Sequence, residues 1–258
     1  MKPFLLICIT ATICFSQEKP IKVIPLTVAV KQAYVDRPGD LYIEFAFGAI
    51  QKFDVDGKLI KEYTPPEKLS LFEPRDGARA FSYSKKSNWY SYSFFGSLSK
   101  KTINPEFAIN PVLACSSGDK NLWVLDKADI SLKKLNTDRS TIDVEFRLPE
   151  QFHTTNIEEI TMREYQNFLF VLDPHSGLYI FNAIGILIKT LEVRGISYFN
   201  FLGEELYYPD NGKLIFYDLF DTKTREITLD PKVIFVLMTD LRIYKVYPDR
   251  AEILIVHP

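Results

Sequence analysis

Two nine-residue segments of this chain, 128 residues apart, nearly repeat one another. Phe53-Asp54-Val55-Asp56-Gly57-Lys58-Leu59-Ile60-Lys61 and Phe181-Asn182-Ala183-Ile184-Gly185-Ile186-Leu187-Ile188-Lys189 agree at five of nine positions. A second element recurs as a short apolar run, often ending in Asp, as at 122–126, 169–173 and 206–210. Runs of this kind begin at Leu41, Arg79, Leu122, Leu169, Leu206 and Leu241, with a mean spacing of 40 residues. Repetition at such a period constrains the fold more than any local propensity does. Each unit is too small to bury its own faces and must cover them against its neighbours.

Within a unit the pattern is that of four short strands. The fourth unit is the clearest, with strands expected at 157–162, 168–172, 178–181 and 186–193. Turn chemistry separates them: Pro174-His175-Ser176-Gly177, then Asn182-Ala183-Ile184-Gly185. Asp56-Gly57 and Asn211-Gly212 are hairpin turns whose residues tolerate positive φ. Strict alternation in 142–148 marks a strand with one wet face. Residues 156–165 come nearest to a helical period, and strand remains the better reading there. Aromatic residues make up 14% of the chain, and they favour pleated, half-buried surfaces.

These observations predict an all-β chain, a single β-propeller of six four-stranded blades. Partitions into five longer units or seven with a cryptic repeat compete with it. The sixth unit holds only three strands, at 233–237, 241–246 and 252–256. Residues 21–25 are expected to supply its missing outer strand, so that the N-terminal strand closes the ring, and 28–34 then open the first blade.

The run Ile50-Gln51-Lys52-Phe53-Asp54-Val55-Asp56-Gly57-Lys58-Leu59-Ile60 resembles the hairpin of an NHL repeat. The match is close in the first unit, good in the fourth, weaker in the third and fifth, and lost in the second and sixth. The glycine-rich opening of an NHL repeat is absent. The resemblance implies NHL-like or TolB-like six-bladed geometry of the kind found in secreted bacterial proteins.

Lys2, an apolar run over 3–15 and a polar break from Gln17 have the form of a secretory signal. The expected domains are therefore a cleaved signal at 1–16 and a propeller at 17–258. The apolar run is short of the ~20 residues that a span needs, and no other stretch reaches that length. Cys14 and Cys8 are each preceded by Ile, which departs from a lipobox, so a lipid anchor is not expected. The expected location is the periplasm or the cell surface. Cys115 would be the one cysteine of the processed chain, and in an apolar run it reads as a small core residue.

No constellation in the sequence carries a reaction. Residues 52–57 resemble a calcium loop, but Lys52 and Tyr63 occupy the two positions where oxygen ligands are required. His153, His175 and His257 are far apart, and no Gly-x-Ser-x-Gly element is present. Six-bladed propellers include metal-dependent lactonases, whose ligands gather from several blades at one mouth of the axis. Asp126, Asp173 and Asp210 occupy comparable strand ends, although their repetition equally suits carboxylates that accept N–H bonds in their own turns. No cofactor or metal is indicated. A net charge of −2 over the whole chain, with no P-loop, gives no footprint for nucleic acid.

Candidate binding residues come from the aromatic run Asn88-Trp89-Tyr90-Ser91-Tyr92 and from Tyr207-Tyr208. Trp89 and Tyr90 must face opposite ways on a strand, so one packs between blades while the other is offered to a ligand, or both pack. The expected function is non-catalytic: a secreted or periplasmic propeller that binds a protein partner at a bacterial cell envelope. The alternatives are a glycan- or peptide-binding propeller and a divergent metal-dependent lactonase or hydrolase.

Overall fold

The computed structural model describes residues 19–74, 79–149, 152 and 159–256. The expected signal, His153 and His257 lie outside the described residues. The described chain is all-β, with six four-stranded antiparallel sheets. Blade 1 comprises β2 (Val30–Val35), β3 (Leu41–Phe45), β4 (Ile50–Phe53) and β5 (Leu59–Tyr63), from the axis outward. Blade 2 comprises β6 (Leu71–Pro74), β7 (Arg79–Ser84), β8 (Trp89–Phe94) and the two-residue β9 (Lys101–Thr102). Blade 3 comprises β10 (Pro111–Ser116), β11 (Leu122–Asp126), β12 (Ser131–Asn136) and β13 (Thr141–Arg147). Blade 4 runs through β14 (Thr161–Tyr165), β15 (Phe168–Asp173), β16 (Gly177–Asn182) and β17 (Leu187–Leu191). Blade 5 runs through β18 (Asn200–Leu202), β19 (Glu205–Asp210), β20 (Lys213–Asp218) and β21 (Thr224–Thr228). Blade 6 joins β22 (Phe235–Met238), β23 (Arg242–Val246) and β24 (Arg250–Ile255) to β1 (Lys22–Pro25).

The closing strand sits where the sequence places it. β1 pairs antiparallel with β24, Lys22 opposite Ile253 and Pro25 opposite Arg250. Most expected bounds hold to within two residues, and the largest displacement is the inner strand of blade 4, which spans 161–165 rather than 157–162, residues 157 and 158 lying outside the described residues. The second half of that strand contains Arg163 and Glu164, whose charge hides the strand from an apolar pattern.

The period of two along each strand explains the ring. Leu169 and Val171 of β15 enter an apolar cluster shared with blade 3, whereas Phe170 and Leu172 enter one shared with blade 5. The same division repeats round the axis, and each of the six seams between neighbouring blades holds its own cluster. Blades therefore have no wet face near the axis, and this is why the second strands read as continuous apolar runs. The buried thiol of Cys115 belongs to the seam between blades 3 and 4. No helix of the described residues is long and apolar enough to cross a membrane.

Candidate functional site: the axial face

In a four-stranded meander, the turn between the second and third strands and the connection to the next blade lie at the same end of the sheet. Six blades place these segments on one face of the ring. The axis opens there into a cavity of about 220 Å³, lined by inner-strand residues and the segments that lead into them. Lys31 and Gln32 come from blade 1, Ser70 and Glu73 from blade 2, Thr161 and Arg163 from blade 4, Ser197 and Asn200 from blade 5. A second cavity of about 220 Å³ opens at the opposite end of the axis. Glu73, Arg163 and Asn200 line both cavities and separate them.

That partition is held by hydrogen bonds across three blades. Arg163 Nε donates to Glu73 Oε1 at 3.2 Å, and Nη1 donates to Asn200 Oδ1 at 2.9 Å. The guanidinium also lies 5.4 Å from the Phe201 ring centroid. Glu73 is buried, and the opposite charge of Arg163 lets it remain so. A second pair stands at the mouth, where Lys31 Nζ reaches Glu44 Oε1 at 2.5 Å and Tyr34 donates to Glu44 Oε2 at 3.0 Å. Burial, then the adjacent Glu44 charge, raises the Tyr34 phenol well above its ordinary range. Burial likewise pushes Tyr198, in the same lining, up to about 12, so both phenols stay protonated.

The axial cavity does not stand alone on its face. Lys31 also lines a depression of about 250 Å³ beside Ala46, Phe47, Gly48 and Pro65. Ser197 also lines one of about 620 Å³ with Glu159, Pro174, His175, Arg194 and Ile196. The three depressions therefore lie side by side on this face, with Lys31 between the first pair and Ser197 between the second, from blade 1 across the axis to blade 4. Phe47, at the far end of the row, is 62% exposed. His175 Nε2 and Glu159 Oε2 are 3.0 Å apart at the other end.

The aromatic candidates lie elsewhere. Trp89 is buried in the seam between blades 1 and 2, and its indole N–H donates to the Glu67 carboxylate. Tyr90 faces the opposite seam, as alternation demands, and stacks on Phe81. Tyr207 fills the seam between blades 5 and 6, where its hydroxyl accepts the Met238 N–H at 2.9 Å. Tyr208 faces blade 4. Tyr92 is exposed, with the Arg79 guanidinium over its ring. The five are not brought together, and none lines the axial cavity.

Each strand-end aspartate bonds within its own turn, and Asp126 also holds the segment that leads into blade 3. Asp126 accepts N–H bonds from Ile109, Asn110 and Ala128 and an ion pair from Lys133. Asp173 accepts from the His175 N–H and the Ser176 hydroxyl, and Asp210 from the Asn211 amide. Among the described residues no three His, Cys, Asp or Glu side chains converge as a metal-binding group. The axial residues Glu73, Arg163 and Asn200 were not legible as a set. They belong to no motif and are brought together only by ring closure.

No family model matches this chain, and no curated protein does either. Solved structures do. A catalytically inactive virginiamycin B lyase from Staphylococcus aureus, solved with quinupristin, matches 92% of this chain and 99% of its own at 13% identity, with a TM-score of 0.54. The extracellular domain of a putative one-component system, BT4673 from B. thetaiotaomicron, matches 89% of this chain and 33% of its own at 14% identity, with a TM-score of 0.55. The β-propeller domain of Cps50 (Swd1) from Myceliophteria thermophila matches 93% and 100% at 11% identity, with a TM-score of 0.62. Likeness at such identities is likeness of fold, and the fold is a six-bladed β-propeller.

Proposed function

We propose that this chain is a secreted, non-catalytic propeller that binds a protein partner at a bacterial cell envelope, taking an extended segment of that partner along the axial face. The observation that carries the reading is a row of three depressions on one face, neighbours sharing Lys31 and Ser197 as lining residues. Read as one segmented groove, such a row suits a peptide chain, whose side chains enter successive depressions, better than a compact metabolite, which buries most of its surface in one pocket. Exposed Phe47 supplies an apolar anchor at one end, as binding hot spots require. The sequence supports the location, through the signal-like segment at 1–16.

The test is photo-crosslinking in native envelopes, with a crosslinking amino acid at position 47 or at position 175. One discrete adduct from both positions, absent when the probe is moved to the exposed outer strand at Ile188, is the expected result. The same adduct captured equally well from position 188, or no adduct from the groove, would overturn the reading.

A further inference from the structure

The groove reading leaves open what its centre recognises. We infer that the axial cavity takes a carboxylate, and that in the groove-bound partner this is the carboxyl terminus of the inserted chain. The inference rests on the peptide-groove reading and adds the chemistry of its central contact.

Lys31 uses one contact on Glu44 and has two further protons to give. Arg163 has its Nε and Nη1 engaged, and its Nη2 has no partner among the described residues. The hydroxyls of Thr161 and Ser197, both in the lining, make no side-chain hydrogen bond among the described residues. The one carboxylate of the lining, Glu73, already accepts from Arg163. Glu44 stands behind Lys31 and does not line this cavity. Glu44 and Glu73 balance the charges of Lys31 and Arg163, so what the cavity has left to offer is donors: the spare protons of Lys31, the Nη2 of a guanidinium held in place on two sides, and two hydroxyls.

Size narrows the ligand. At about 220 Å³ the cavity falls below the range of pockets that enclose a whole drug-sized molecule, roughly 300–1,000 Å³. It accommodates a chain end. The 620 Å³ depression that adjoins it at Ser197 gives the preceding residues a place beside Pro174 and Ile196. A free dicarboxylate offers the same group without a chain, and the experiment separates the two sources.

The probes are two random hexapeptide pools, identical except for a free C-terminal acid or an amide, together with succinate. Retention on immobilised protein and titration calorimetry are the readouts. The acid pool is expected to be retained about tenfold or more over the amide pool, the worth of a charge-assisted contact. The double variant Glu73→Gln/Arg163→Gln removes both charges together and is expected to abolish that preference. Because it alters the axis, Thr161→Val/Ser197→Ala provides a second test that leaves Arg163 in place, with an expected loss of about fivefold. Equal retention of acid and amide pools would overturn the carboxylate inference while leaving the groove standing. Saturable succinate binding, lost in the variants, with neither pool retained would support the carboxylate site and count against the peptide groove. Absence of binding by all three probes would overturn the inference.

Discussion

Gly185 lies at φ +84°, and a Cβ added there would sit 2.2 Å from Phe146 Cδ1 of the neighbouring blade. The turn thus needs glycine twice, for its left-handed backbone and for the approach of a ring across the seam. Gly185→Ala is expected to cost about 2–4 kcal/mol, the sum of left-handed strain and overpacking. Gly212, at φ +75° with nothing within 4 Å, is the control, and its alanine variant is expected to lose only about 1–2 kcal/mol. Urea melts of the two variants measure the difference. Asp126 gives a pH-dependent counterpart. Burial alone would raise its carboxyl, but the Lys133 bond and the N–H bonds of Ala128, Asn110 and Ile109 together hold it below the ordinary range. Its stabilisation is therefore complete above the ordinary carboxylate pKa of about 3.9 and is lost as pH falls through the lower folded value. Asp126→Asn is expected to cost about 3 kcal/mol at neutral pH, by leaving Lys133 with only its outer partners. The gap between the two proteins should narrow in melts taken below pH 4. The turn role of this aspartate was legible because it recurs at strand ends. Its lysine partner was not, because Lys133 lies in a strand whose sequence carries no such repetition.

Strand identity was most legible where both faces are buried. The second strands begin at or within one residue of the positions read from the spacing, because seams on both sides demand continuous apolar runs there. The inner strand β14 was misplaced for the complementary reason. Its half-buried positions include Arg163, which lines the axial cavity, while Glu164 accepts bonds from Trp123 and Ser117 of blade 3. Outer strands obey a third rule. β13 alternates charged residues along the rim, β21 exposes Arg225 and Glu226, β9 is only two residues long, and β1 ends in Pro25, all of which discourage pairing with another sheet. β17 follows Ile184 and Ile186 with Leu187 and Ile188, all exposed, and its Lys189 ammonium is drawn to the Tyr217 hydroxyl at 2.7 Å. Ile188→Lys is therefore expected to change stability by no more than about 0.5 kcal/mol while lowering self-association. Light scattering against concentration reads the second effect, and unchanged scattering would show that this edge is already protected by its bulge at Ile188.

A ring of six blades has six seams only if its ends meet, and here the meeting depends on one four-residue strand. β1 contributes Ile24 to the cluster that also contains Ile253, Val246, Leu41 and Phe53, so the strand that completes blade 6 also packs that blade onto blade 1. Tyr244 of blade 6 reinforces the same seam, with its hydroxyl donating to the Gly39 carbonyl of blade 1 at 2.5 Å. The need for closure could be read from a last unit one strand short. The seam contacts could not, because they join residues more than 200 positions apart. In an open solenoid a terminal strand frays at small cost to the rest, since stability is roughly a sum of local terms. In a closed ring the same loss exposes two faces at once and frees the neighbouring blades to separate. Ile24→Ala is accordingly expected to cost about 3 kcal/mol, as for a buried isoleucine, and to lower the midpoint of a single cooperative transition. A chain beginning at Leu26 is expected to lose more than this and to show hydrogen exchange accelerated in both β24 and β2, on opposite sides of the seam. A synthetic peptide of residues 19–26, added in excess, should slow that exchange again. Acceleration confined to β24 would mean that the seam holds without its strand, and that closure rests on the Tyr244 contact and the inner strands instead.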